Sequence, residues 1–142
     1  MPLKVFVDSD VVISSLISKK GAAYFLLNAK NLEYFISDLS IKEQEIVVDR
    51  LNLDLDRFKN LIKNRFKIVD LKVKAEKVKG EFGNYVLDIN DAHIVAGSEK
   101  AGVRFLITYN LKDYSVDKIK KDFDIVVTSP ANLLQYLRSR ED

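Results

Sequence analysis

The chain contains no cysteine, which removes disulfide frameworks and zinc ribbons from consideration. Its single histidine is His93, so histidine-rich metal sites and mechanisms needing two imidazoles are excluded as well. Carboxylates are left as the main chemically active groups. Only two prolines and five glycines occur in 142 residues. They fall between periodic segments, and no linker, internal repeat or low-complexity tract interrupts the sequence. Long apolar runs are also missing. Residues 3–7 (LKVFV) are too short for a leader core or a membrane span, and Asp8 and Asp10 close them at once. A cytoplasmic protein without membrane attachment is the resulting expectation. What is present is 47% hydrophobic and 31% charged residues, a composition that excludes a disordered tail or a collagen-like rod. A chain of this length suits one domain, residues 1–142, which buries about two-thirds of its unfolded surface.

The net charge is only +2, but it is unevenly placed. Residues 57–79 hold nine Lys or Arg against Asp70 and Glu76, a local charge of +7. The other 14 bases and 19 acids leave the remainder at −5. A basic block on an otherwise acidic chain is a candidate polyanion contact, with a solvated helical face as the plain alternative.

Apolar periodicity predicts strands alternating with helices. The strands fall at 3–7, 33–37, 66–69, 104–108 and 124–128. Helices are expected over 11–16, 22–29, 38–49, 53–64, 72–82 and 88–101, and from Pro130 to about residue 137. Ser37 or Asp38 and Asp88 are N-caps, Gly102 is a stop, and Pro130 suits a first helical turn. Five short apolar strands between helices imply an α/β three-layer sandwich with a mostly parallel five-stranded sheet. In such folds ligands bind beyond the carboxyl ends of the strands.

The acids fall where that rule places chemistry. Asp8 ends the first strand and Asp10 follows. Asn110 and Asp113 follow the fourth strand. Glu43 lies early in the helix after the second strand, and Asp88 and Asp91 open the helix leading into the fourth. Each one singly reads as a helix-start acid. Together they would repel unless a cation offsets them, and oxygen-only ligands with open positions suit Mg²⁺ or Mn²⁺.

Four blocks carry a resemblance. They are VFVDSDVVISSLISKKGAAYFLL, FISDLSIKEQEIVVDRL, LDINDAHIVAGSEKAGVRFLITYNLKDY and DFDIVVTSPANLLQYL. In order, they show a strand ending in Asp; a strand ending in Ser with Glu on the next helix; D-x-x-D-A-H, A-G and I-T-x-N-x-x-D-Y; and a strand, proline and helix. This pattern resembles the PIN-domain nuclease family, in particular small stand-alone members like the VapC-type toxins of type II toxin–antitoxin systems. The likeness spans nearly the whole chain.

The resemblance implies that Asp8, Glu43, Asp91 and Asp113 are the catalytic acids and hold Mg²⁺ or Mn²⁺. Glu45 is a rival to Glu43. At the fourth acidic position the family often has Asp where this chain has Asn110, and at position 10 it usually has Asn where this chain has Asp. Thr108, Ser9, Asp10, Asp88 and Asn110 are supporting residues. His93 reads as a packed or partner-contacting side chain. Tyr109, Tyr114, Tyr85 and Phe82 either stack on bases or pack. The implied activity is metal-dependent endoribonuclease cleavage, with a non-catalytic RNA-binding or scaffold module as the alternative. Lys63, Arg65, Lys72, Lys74, Lys77 and Lys79 would then contact RNA. A homodimer through the apolar stretch at 22–27 and a possible antitoxin partner complete the expectations.

Overall fold

The computed structural model describes residues 2–71 and 75–140. Strands β1 (Leu3–Val7), β2 (Leu32–Ser37), β3 (Phe66–Val69), β4 (Phe105–Ile107) and β5 (Val126–Thr128) form one sheet in the order β3-β2-β1-β4-β5. All four pairings are parallel. A parallel sheet needs crossover helices, and those cover both of its faces. The helices are α1 (Ser9–Ile17), α2 (Ala22–Leu27), α3 (Asp38–Arg50), α4 (Leu55–Arg65), α5 (Ala75–Phe82), α6 (Ala92–Ala101), α7 (Val116–Phe123) and α8 (Pro130–Ser139).

Alternation along the strands sends side chains to two cores. Val5, Val7, Ile36, Phe105 and Ile107 pack with Leu16, Leu26, Phe58 and Leu133 of α1, α2, α4 and α8. Phe6, Leu106 and Val127 point the other way, onto Val95 of α6 and Ile119 of α7. A smaller cluster of Val69, Val78, Ala92 and Ala96 joins α5 to α6. Helix α6 lies so close to β1 that a Cβ on Gly97 would stand 2.7 Å from Cε2 and 2.9 Å from Cζ of the fully buried Phe6 ring.

Two elements differ from the expectation. The helix expected over 88–101 is a 3-10 turn, Ile89–Asp91, followed by α6. Asp88 caps that turn by accepting from the Asn90 N–H at 3.0 Å. Helix α7 lies where the sequence reading has none. It packs Val116, Ile119 and Phe123 against the second core at helical spacing, but only Ile119 is fully buried and no side chain caps the helix. Gly102 does end α6, with φ +67° in the left-handed region. The start of the helix expected over 72–82 lies outside the described residues. No described helix is long and apolar enough to cross a membrane.

Candidate functional site

Every strand runs the same way, so the carboxyl ends of β1, β2 and β4 come together, and the residues that follow them form one surface. Asp8 directly follows β1. Its backbone N–H donates to the Ile107 carbonyl at 2.9 Å, which fixes the step out of the sheet. The Asp8 carboxylate is 9% exposed. Its Oδ1 accepts from the Ser9 N–H at 2.7 Å, so Asp8 caps α1. Its Oδ2 accepts from the Thr108 hydroxyl at 3.0 Å and from the Tyr114 hydroxyl at 2.6 Å.

Sequence reasoning named Tyr114 only as a stacking or packing aromatic and missed its bond to Asp8. Its ring is buried, and its hydroxyl is held against Asp8 rather than offered to a base. Burial and the adjacent Asp8 charge push its phenol far above the usual range, so it stays a donor at any working pH. The signal was present in the Asp-Tyr pair that closes the third block.

Asp10 faces the loop after β4. Its Oδ2 accepts from the Tyr109 N–H at 3.1 Å, the Asn110 side-chain amide at 2.8 Å and the Thr108 hydroxyl at 3.2 Å. The two positions where the sequence departs from the resembled pattern, 10 and 110, are therefore hydrogen-bonded to each other. Burial, then the Asp8 charge, pushes the Asp10 carboxyl up to about 6. Ser9 and Thr108 each donate to Asp8.

Asp91 closes the 3-10 turn before α6 and is half-buried. Burial, then the charges of Asp8, Asp88 and Asp113, pushes its carboxyl up to about 6. These four acids thus share one field. Glu43 stands to one side of it. Its side chain is 60% exposed, and its Oε1 lies 3.1 Å from His93 Nε2. His93 is buried, as the packed reading expected, with Nδ1 3.5 Å from the Ser40 hydroxyl. Among the described residues no three acids or histidines already stand in ligating geometry. The donor chemistry nevertheless fits a hard cation: all groups are oxygen, and like charges raise one another's proton affinity.

The basic block is not one surface. Arg65 ends α4 and immediately precedes β3, at the amino end of the parallel sheet. Its guanidinium is 3.3 Å from Asn28 Oδ1, and Lys63 is exposed on the last turn of the same helix. Lys77 and Lys79 lie on α5, beyond the carboxyl end of β3. Lys72 and Lys74 lie outside the described residues.

A charge-crowded acid has a sign that can be tested. The Asp91 carboxyl binds its proton more tightly folded, at about 6, than at its ordinary 3.8. Between those values the folded state holds more protons than the unfolded one, so metal-free stability falls as pH rises through that window. With chelator present, Asp91→Asn is expected to melt above the parent near neutral pH and to match it near pH 4. Equal midpoints at both pH values would contradict the crowding.

The PIN domain family model matches residues 4–112. The chain belongs to the PIN domain family. Solved structures agree on the fold. VapBC2 from Rickettsia felis, bound to a DNA fragment from its promoter, is 16% identical with a TM-score of 0.62, covering 89% of this chain and 98% of that one. A toxin–antitoxin complex from Klebsiella pneumoniae is 19% identical with a TM-score of 0.64, covering 89% and 97%. VapC20 from Mycobacterium tuberculosis, a sarcin-ricin loop cleaving toxin, is 15% identical with a TM-score of 0.57, covering 84% and 95%. No curated protein matches the sequence.

Proposed function

We propose that this PIN domain is a Mg²⁺- or Mn²⁺-dependent endoribonuclease and the toxin of a toxin–antitoxin pair. The observation that carries the reading is the shared field of Asp8, Asp88, Asp91 and Asp113 at the carboxyl end of the sheet. Asp8 and Asp91 would hold the ion, with Glu43 and Asp113 swinging in as further ligands. When bound, such an ion acidifies a water and offsets charge developing on the phosphate. The chain's own residues set up the rest. Thr108 and Tyr114 orient Asp8 by occupying its Oδ2. Asp10 clamps the 108–110 loop that carries Thr108. The antitoxin part of the proposal rests on likeness to VapBC2 and the Klebsiella complex.

The test is incubation with a mixed RNA pool and Mn²⁺, with and without chelator. Metal-dependent cleavage is expected. Absence of cleavage by a folded, antitoxin-free sample would overturn the reading. Metal should also raise the melting midpoint, because a ligand bound only by the native state adds about 2.7 kcal/mol at a hundredfold excess over its Kd.

We further propose a homodimer through α2. Ala23, Leu26 and Leu27 are buried within the chain, whereas Phe25 is 55% exposed. Phe25→Glu therefore tests assembly without opening the core. Light scattering is expected to give twice 16.2 kDa for the parent and a monomer for the variant. A monomeric parent would refute the dimer.

A further inference from the structure

Beside the acids lies a cavity of about 250 Å³ between α3, α5 and the 3-10 turn. Its walls are apolar: Leu39, Ala75, the buried Val78, and Ile89, which is 50% exposed. Two lysines, Lys42 of α3 and Lys79 of α5, also line it. Asn90 contributes an amide. Glu43 also borders it, and Asn90 of its lining is the chain neighbour of Asp91.

His93 forms part of the same lining and is 6% exposed. Its Nε2 makes no hydrogen bond, although Glu43 Oε1 is 3.1 Å away. A buried ring nitrogen without a hydrogen bond is costly unless something completes it. The cavity therefore combines apolar walls, a buried imidazole nitrogen whose neighbour Glu43 lies outside hydrogen-bond alignment, and two lysines. Small-molecule sites are mostly apolar with a few convergent polar groups, and they usually enclose about 300–1,000 Å³. A volume just under that range suits one planar ring system rather than a whole dinucleotide.

We propose that this cavity receives one nucleobase of the RNA strand, with Lys42 and Lys79 holding the phosphate attached to that nucleotide. The proposal rests on the ribonuclease reading and adds a specificity-determining pocket to it. Apolar walls take the faces of a base, as aromatic and apolar platforms do in single-strand binding. His93 Nε2 and the Asn90 amide meet its hydrogen-bonding edge. The lysines supply the salt-dependent backbone contribution. Base choice then belongs to α3, α5 and the turn before α6, and the cut itself to the acids.

Since His93 is the sole histidine, its imidazole resonances report this cavity without assignment of any other residue. The full-length protein would be titrated, in chelator, with each of the four nucleoside 5′-monophosphates, the matching nucleosides and inorganic phosphate. At least one monophosphate is expected to shift the His93 signals saturably in the millimolar range. Its nucleoside should bind several-fold more weakly, and inorganic phosphate should leave the signals in place. Ala75→Trp places an indole over the mouth from an exposed helix position and is expected to weaken binding at least tenfold. Ile89→Ala, which removes one wall, should weaken it severalfold. The proposal is overturned if no monophosphate moves His93, if phosphate alone reproduces the shift, or if both variants bind like the parent. The titration needs no cleavage. A protein that binds nucleotide here yet never cuts RNA would fail as a ribonuclease while keeping the pocket, and the reverse outcome would separate the two equally well.

Discussion

Asp8→Asn is expected to abolish RNA cleavage and also to cost stability. Loss of a carboxylate that would hold the ion should exceed the roughly 10–100-fold that removal of an outer partner costs. From sequence alone, deleting one of several like charges should leave the metal-free fold unharmed or improved. The hydrogen bonds say otherwise. Oδ2 accepts from both Thr108 and Tyr114, while Oδ1 caps α1. An Asn amide offers one oxygen and one NH₂, so one of these two sides meets a donor instead of an acceptor. Leaving a buried donor without its partner costs about 1–3 kcal/mol. Thermal melts in chelator measure the loss. Tyr114→Phe deletes the hydroxyl that would be stranded, so the double variant should recover part of it. An Asp8→Asn protein as stable as the parent would show that the hydroxyls have other acceptors.

Gly97→Ala should be the most damaging single methyl in the chain. Its Cβ would sit within 3 Å of two atoms of the Phe6 ring, and Phe6 is 0% exposed. Alanine normally improves a helix by roughly 1 kcal/mol over glycine. Overpacking a close-fitted core costs about 1–3 kcal/mol and here requires α6 to move, so the steric cost prevails. Movement of α6 also shifts Asp91, which immediately precedes it, away from Asp8, which lies two residues beyond Phe6. Cleavage should therefore fall together with the melting midpoint. Phe6→Leu relieves the collision, and a double-mutant cycle should show a favourable coupling between the two positions. An unaltered midpoint in Gly97→Ala would mean the ring has room to turn.

Strand positions were legible because the central strands, β1 and β4, are short apolar runs buried on both sides. Val5, Phe6 and Val7 are all fully buried, so no polar alternation hid them. The carboxyl-end rule for parallel sheets then drew attention to Asp8, Asp91 and Asp113. Helix α7 escaped because its apolar face is only three residues, Val116, Ile119 and Phe123, in a short segment rich in Lys and Asp. The role of Tyr114 escaped for a different reason. Its bond to Asp8 spans 106 residues and exists only once β1 and β4 pair. The basic block failed as a surface because β3 runs through it, sending Arg65 to one end of the sheet and Lys79 to the other. Linear charge density cannot show that division; strand direction does.

The placement of β1 has a further consequence for synthesis. Strand β1 precedes the other four in chain order, yet it is the central one, bordered by β2 on one side and β4 on the other. Asp8 is therefore synthesised before Asp91, and Thr108 and Tyr114 lie 100 and 106 positions after it. No partial chain ending before Tyr114 contains an assembled acidic centre, because each half of the sheet supplies what the other lacks. A nascent chain thus lacks this centre until the segment through Tyr114 has been made. For a protein whose activity would attack RNA, that delay spares the very transcript being read.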